Sequence, residues 1–144
     1  MRHILLIFAN ASLLLLTAGS GCQQTETSDQ AAFFAKEKEG LFSVTQEEAR
    51  QLLEQRPEVV VLDVRTPEEF ADGHLQKAVH LDYLQADFPE QVKKLDQNKP
   101  YLVYCAVGGR SSKAATLMSK TGFREVYNAS AGFKDLKAAG IPVR

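Results

Sequence analysis

Tyr101-Leu-Val-Tyr-Cys-Ala-Val-Gly-Gly-Arg-Ser-Ser-Lys113 decides how the chain is read. Tyr101 to Tyr104 is a short β-rich run without polar alternation, the pattern of a parallel strand covered on both faces. Gly108 and Gly109 follow, both able to take positive φ and curl the chain back. Ser111 or Ser112 then supplies the cap of a helix expected to run to about Lys120. The order strand, glycine loop, helix leaves Cys105 where the strand ends. Backbone N–H groups of Ala106, Val107, Gly108, Gly109 and Arg110 are expected to point inward at its sulfur, with the positive end of the helix and the Arg110 charge beside them. All of these favour thiolate over thiol. Burial at an apolar strand end opposes them, and the loop donors, acting at contact distance, are expected to prevail and lower the thiol pKa. A cysteine that only fills a core needs none of these neighbours.

Strand and helix signals alternate on either side of this segment. Leu41 to Val44 is a candidate strand, and Thr45-Gln-Glu-Glu48 reads as a capping box opening a helix through Leu52 and Leu53 that Pro57 closes. Val59 to Leu62 is an uninterrupted apolar strand ending at Asp63. Thr66-Pro-Glu-Glu69 caps a short helix, with Pro67 at its first position, that halts near Asp72-Gly73. Ala78 to Leu81 is a weaker strand, and Phe88 to Leu95 has helical character. Beyond the loop helix, which Gly122 can terminate, come a strand at Glu125 to Asn128 and a helix from Gly132 to Ala139. This alternation predicts an α/β domain, a central parallel sheet with helices on both faces and ligands at the carboxyl ends of the strands.

Composition narrows the function. The formal charge of −1 and the lack of any Lys/Arg run give no basic field for nucleic acid. His3, His74 and His80 have no partners at ligand spacing, so no metal site is expected. Asp63 and Arg65, a carboxylate and a guanidinium at one strand end, read as a structural pair supporting the pocket from behind. His74 follows a turn glycine and reads as a hydrogen-bonded structural histidine, because chemistry at a stabilised thiolate needs no general base.

The loop resembles the active-site loop of rhodanese-domain sulfurtransferases, in which a cysteine and an arginine bracket four residues; here the brackets are Cys105 and Arg110. Asp63-Val-Arg65, Glu69-Phe70, Gly73-His74-Leu75 and Ala139-Gly-Ile-Pro-Val143 fall in that family's positions and order, and the resemblance covers roughly Leu41 to Arg144. It implies a single rhodanese-like domain over 41–144 in which Cys105 takes sulfane sulfur from a small donor such as thiosulfate as a persulfide. The sulfur then passes to an external thiol, cyanide or protein acceptor, without a cofactor. Arg110 and the loop amides of Ala106 to Arg110 would hold the anionic groups. Four departures stand out: Lys77 and Ala131 where glycine is common, Leu136 where tryptophan is common, and Ala106 where many thiosulfate users carry a basic residue. Two alternatives remain open. One is a phosphatase or arsenate reductase, whose related loops hold five residues between Cys and Arg; the other is a binding module without turnover.

The amino terminus reads as an export segment: Met1-Arg-His3, an apolar stretch from Ile4 to about Ala18, then Gly19-Ser-Gly-Cys22. It is too short for a comfortable membrane span, and it lacks the polar face expected of a core helix. Cys22 resembles the lipid-attachment cysteine of bacterial lipoproteins; Gly19 stands where an aliphatic residue is usual, which leaves ordinary signal-peptidase cleavage after Ser20 as the alternative. The expectation is a signal peptide over 1–21, acyl chains on Cys22 that place the protein on a membrane of the cell envelope, and a polar tether over 22–40.

Overall fold

The computed structural model describes residues 40–144. The expected signal peptide, Cys22 and the tether up to residue 39 lie outside the described residues. Gly40, expected to end the tether, is instead the first residue of a strand, where its N–H donates to the Arg124 carbonyl at 2.6 Å.

Five strands and five helices alternate: β1 (Gly40–Val44), α1 (Gln46–Gln55), β2 (Val60–Asp63), α2 (Pro67–Ala71), β3 (Val79–His80), α3 (Phe88–Val92), β4 (Pro100–Tyr104), α4 (Gly109–Lys120), β5 (Glu125–Ala129) and α5 (Phe133–Ala138). The strands form one sheet in the order β1-β5-β4-β2-β3, every pair parallel. The expected α/β architecture is therefore the observed one. Along β4, side chains alternate between two cores. Leu102 and Tyr104 pack with Ala49 and Leu52 of α1 and Leu136 of α5, whereas Tyr101, Val103 and Cys105 pack with Val92 of α3 and Ala114, Ala115 and Met118 of α4. Covered on both faces, β4 has no need of polar alternation, which is why its sequence shows none.

Both capping boxes form. Thr45 and Thr66 each accept from the N–H of the third helical residue, and Glu48 and Glu69 each reach back to the cap N–H, at 2.8 and 3.0 Å. Each cap contributes about 1 kcal/mol. Helix α3 ends at Val92, earlier than the Leu95 expected from the sequence. The cap expected from Ser111 or Ser112 does not form: α4 begins at Gly109 and its cap is Gly108, at φ +87°. Only the first of the two loop glycines uses positive φ, because the chain must turn before the helix starts and not within it. Lys77, at the position where the resemblance expects glycine, is the only non-glycine residue with positive φ among the described residues, at +64°. That conformation costs about 1 kcal/mol with a Cβ present.

Arg56, just past α1, ties the far end of the domain together. Its guanidinium pairs with Glu125 at the start of β5 through two nitrogens, and Tyr127 donates its hydroxyl to the same carboxylate. This buried cluster lies at the amino ends of the strands, opposite the Cys105 loop.

Candidate functional site

β4 delivers Cys105 to the carboxyl edge of the sheet, and the residues around it form three layers. Nearest the sulfur is the loop itself. The Gly108 N–H donates to Sγ at 3.1 Å. Ser111, fully buried in the first turn of α4, donates its hydroxyl to the Gly108 carbonyl at 3.0 Å and lies within hydrogen-bonding reach of the sulfur. Burial raises the thiol pKa, but the N–H groups of Ser111, Val107 and Arg110 and the Ser111 hydroxyl outweigh it, so the net direction is downward. The lowered pKa expected from the sequence holds, with a different leading partner: Ser111, expected only as a cap, acts on the sulfur.

The second layer fixes Arg110. Its two terminal nitrogens bind the Glu69 carboxylate at 2.6 and 2.8 Å, a bidentate pair joining α4 to the first turn of α2. The Arg110 guanidinium holds the Glu69 carboxyl down at about 2, so the pair is charged at any working pH. Glu69 also accepts from the Thr66 N–H, so the helix cap and the arginine share one carboxylate. Arg110 is thus held near the sulfur with its charge largely balanced. The sequence presented Glu69 as a capping residue and gave no sign of this partner, 41 positions away.

The third layer braces the loop from behind. A Cβ on Gly132 would lie 1.7 Å from the Ala106 carbonyl oxygen and 2.9 Å from the Val107 Cα; one on Gly108 would lie 2.5 Å from the Ser130 carbonyl oxygen. The Phe133 N–H donates to the Cys105 carbonyl at 2.9 Å. Residues 130–133 therefore press directly on residues 105–108. Beneath Phe133 stands Arg65, its guanidinium 4.1 Å from the ring centre. Arg65 binds Asp63 through Nε and Nη2 and the Gly73 carbonyl at 2.7 Å, while Tyr104 donates its hydroxyl to Asp63 at 2.5 Å. Burial and the adjacent Asp63 hold the Tyr104 phenol well above its usual pKa, so it remains a neutral donor. Asp63 and Arg65 touch the loop's surroundings through Phe133 and through Tyr104, the residue before Cys105. His74 binds the Phe70 carbonyl through Nδ1 at 2.9 Å and stacks on the Phe70 ring.

Of the residues singled out in the sequence, the structure gathers Cys105, Val107, Gly108 and Arg110 around the sulfur. Ala106 packs against Gly132. Gly109 faces open space, with nothing within 4 Å of where its Cβ would stand. Residues 45–139 match the Rhodanese-like domain family. The chain belongs to that family. Among similar rhodanese-like proteins, thiosulfate sulfurtransferase GlpE of Coxiella burnetii is 37% identical over 91 residues, covering 63% of this chain and 82% of that protein. The protein of the same name from Pseudomonas putida is 39% identical over 83 residues, covering 57% and 73%. Among solved structures, the rhodanese-like domain of an Anabaena protein aligns with a TM-score of 0.63 at 26% identity, over 71% of this chain and 77% of that one. A rhodanese-related protein from Thermoplasma volcanium aligns with a TM-score of 0.62 at 27% identity, over 72% and 97%.

The Ser111 contacts give a pH-dependent prediction. Ser111→Ala removes a donor to the anion, so the Cys105 pKa rises and less thiolate is present near neutrality. Alkylation by iodoacetamide, followed at the Cys105 peptide, should slow several-fold at pH 7 and converge on the parent rate at alkaline pH, where both thiols are ionised. Equal rates across the pH range would show that the hydroxyl serves only the Gly108 carbonyl.

Proposed function

We propose that the protein is a sulfurtransferase that carries sulfane sulfur on Cys105. The Cys105 thiolate attacks the sulfane sulfur of a donor, the bond from that sulfur to its carrier breaks, and the electron pair leaves with the carrier, as sulfite when the donor is thiosulfate. A nucleophilic acceptor then takes the sulfur from the persulfide. The observation that carries this reading is the environment of Sγ: a buried sulfur at a strand end whose surrounding N–H groups and Ser111 hydroxyl hold its pKa down despite burial. The terminal sulfur of a persulfide extends the same anionic charge by one atom, and preorganised amides suit it as they suit other developing anions. The names of the similar proteins agree with this reading. Four residues between Cys105 and Arg110 make a smaller cradle than the five of phosphatase-type loops, a size suited to one added sulfur. Mass spectrometry of the Cys105 peptide after incubation with a sulfane donor should show a gain of one sulfur atom that cyanide removes. No gain with any sulfane donor would end the proposal.

We infer from the sequence alone that residues 1–21 direct export and that Cys22 carries the lipid holding the domain at a membrane of the cell envelope. Cys22→Ser should move the protein from the membrane fraction to the soluble fraction. Retention of the variant in the membrane fraction would refute the anchor and leave the chemistry of Cys105 untouched.

A further inference from the structure

A concavity of about 370 Å³ lies at the amino ends of the strands, away from Cys105. Its apolar walls are Leu53 of α1, Pro57 and Val59 on the way into β2, and Ile141 and Pro142 beyond α5. Val59 and Ile141 belong to the core beneath, whereas Pro57 and Pro142 are exposed, so core surface is left open to water here. The guanidiniums at the rim are already matched. Arg50 binds Glu54 at 2.5 Å, and Arg56 binds Glu58 at 2.7 Å and the buried Glu125. A charged occupant would have to compete with these pairs, while an uncharged apolar one meets bare wall; Lys77, which also borders the concavity, is exposed to water. A cavity of about 150 Å³ takes up one benzene, so this one has room for two phenyl rings.

The chain enters the domain close by. Gly40, the first described residue, is paired across the sheet with Glu125, the residue that Arg56 grips, and Arg56 in turn borders the concavity. One strand spacing and one ion pair therefore separate the start of β1 from it, roughly 10–15 Å. Gly40 has φ +126°, a conformation that favours glycine, so the backbone turns as it enters the strand. The stretch before it, Gln23 to Glu39, is polar except for one run, Ala31-Ala-Phe-Phe-Ala35. Two adjacent phenylalanines in a segment with no other large apolar side chain gain by finding cover on the domain. The six residue steps from Phe34 to Gly40 span up to roughly 20 Å, enough to reach it. We propose that Phe33 and Phe34 of the same chain fill this concavity, with the polar residues 35–39 bridging it to β1. The docking is independent of the chemistry at Cys105. Where Cys22 holds the chain at a membrane, as inferred above, docking shortens the leash from the Cys22–Gly40 segment to the Cys22–Phe33 segment and turns the Cys105 loop, at the opposite end of the sheet, away from that membrane.

The chain contains no tryptophan, so Phe34→Trp introduces a single fluorescent reporter. In the full chain, purified in a mild detergent, its emission should lie at shorter wavelength than in denaturant, and acrylamide should quench it several-fold less than free tryptophan. Leu53→Glu and Pro142→Glu set a carboxylate in walls built by different elements, and each should move the emission to longer wavelength and restore quenching. Pro142 is exposed, so the second variant keeps the test decisive if Leu53→Glu disturbs α1. Independently, Phe33→Ser/Phe34→Ser should lower the Tm of the full chain by about 5 °C and have less effect in the Pro142→Glu background, the coupling expected of side chains in contact. Emission as in denaturant overturns the docking. So does a short-wavelength emission that both wall variants leave unmoved, which places the reporter in the detergent micelle. An emission shift that grows with protein concentration assigns the cover to a second copy and overturns docking within one chain.

Discussion

Gly132→Ala should reduce sulfur loading of Cys105 by a hundredfold or more. The added methyl would stand 1.7 Å from the Ala106 carbonyl oxygen, which no side-chain adjustment can relieve because both partners are backbone. The backbone at Gly132 is extended, with φ −85°, so alanine brings no conformational penalty of its own and the effect isolates the steric one. Either residues 130–133 retreat or the loop does. Retreat of 130–133 loosens the Phe133 N–H from the Cys105 carbonyl, and retreat of the loop carries the Val107 and Gly108 amides off the sulfur. A displacement of about 1 Å in a reacting group costs on the order of 10²-fold in rate. The measurement is the loading rate at Cys105 beside a thermal melt. Gly109→Ala serves as the counterpart in the melt alone, since its Cβ meets nothing and the melt should not fall. Parent-like loading in Gly132→Ala would mean that the loop yields freely and that its contact with 130–133 does not set the position of the amides.

Asp63→Ala should be the most destabilising single change in the domain. Asp63 is fully buried, accepts from the Arg65 backbone N–H at 3.0 Å and its Nε and Nη2, and takes the Tyr104 hydroxyl. Removing the carboxylate leaves Arg65, only 4% exposed, as a buried charge with one remaining carbonyl partner, and strips the Tyr104 hydroxyl of its acceptor. Breaking a buried pair from one side costs about 3–5 kcal/mol. For a domain of this size that corresponds to a fall of roughly 15 °C or more in Tm. Asp63→Asn keeps an acceptor for Tyr104 while losing the charge, and should fall between the parent and Asp63→Ala. A drop of only about 2 °C in Asp63→Ala would show that Arg65 finds another partner or reaches water, and that the pair does not support Phe133.

What the sequence reveals and what it hides divides along the range of the interactions. The capping boxes at Thr45 and Thr66 are legible because donor and acceptor are three residues apart, and β4 is legible because burial on both faces erases alternation over its own five residues. The α/β order follows from those local signals taken in turn. Ser111 is misread as a cap because a serine near a helix start has two uses, and only the tight turn at Gly108, which starts the helix earlier, decides between them. The Arg110 partner is hidden for a different reason. Glu69 already has a complete local explanation as a capping residue, so nothing in the sequence signals that both its oxygens also serve the loop. Gly132 reads merely as the start of a helix, and its close approach to Ala106 exists only once β4 and β5 lie side by side. The family resemblance locates the site, and these longer contacts account for its shape.

The donors facing Sγ are mostly main-chain amides, and this separates two properties that side-chain sites bind together. No substitution at Ala106 or Val107 can delete an N–H group, short of proline, so the amide donors that lower the Cys105 pKa survive a change to another uncharged side chain there. Uncharged side chains at 106 and 107 can therefore drift under mutation while the amide donors are conserved, with Gly108, Gly132 and Ser111 as the positions where drift is blocked. A lineage could remodel the outer lip of the loop in single steps, each intermediate retaining the amides that face Sγ.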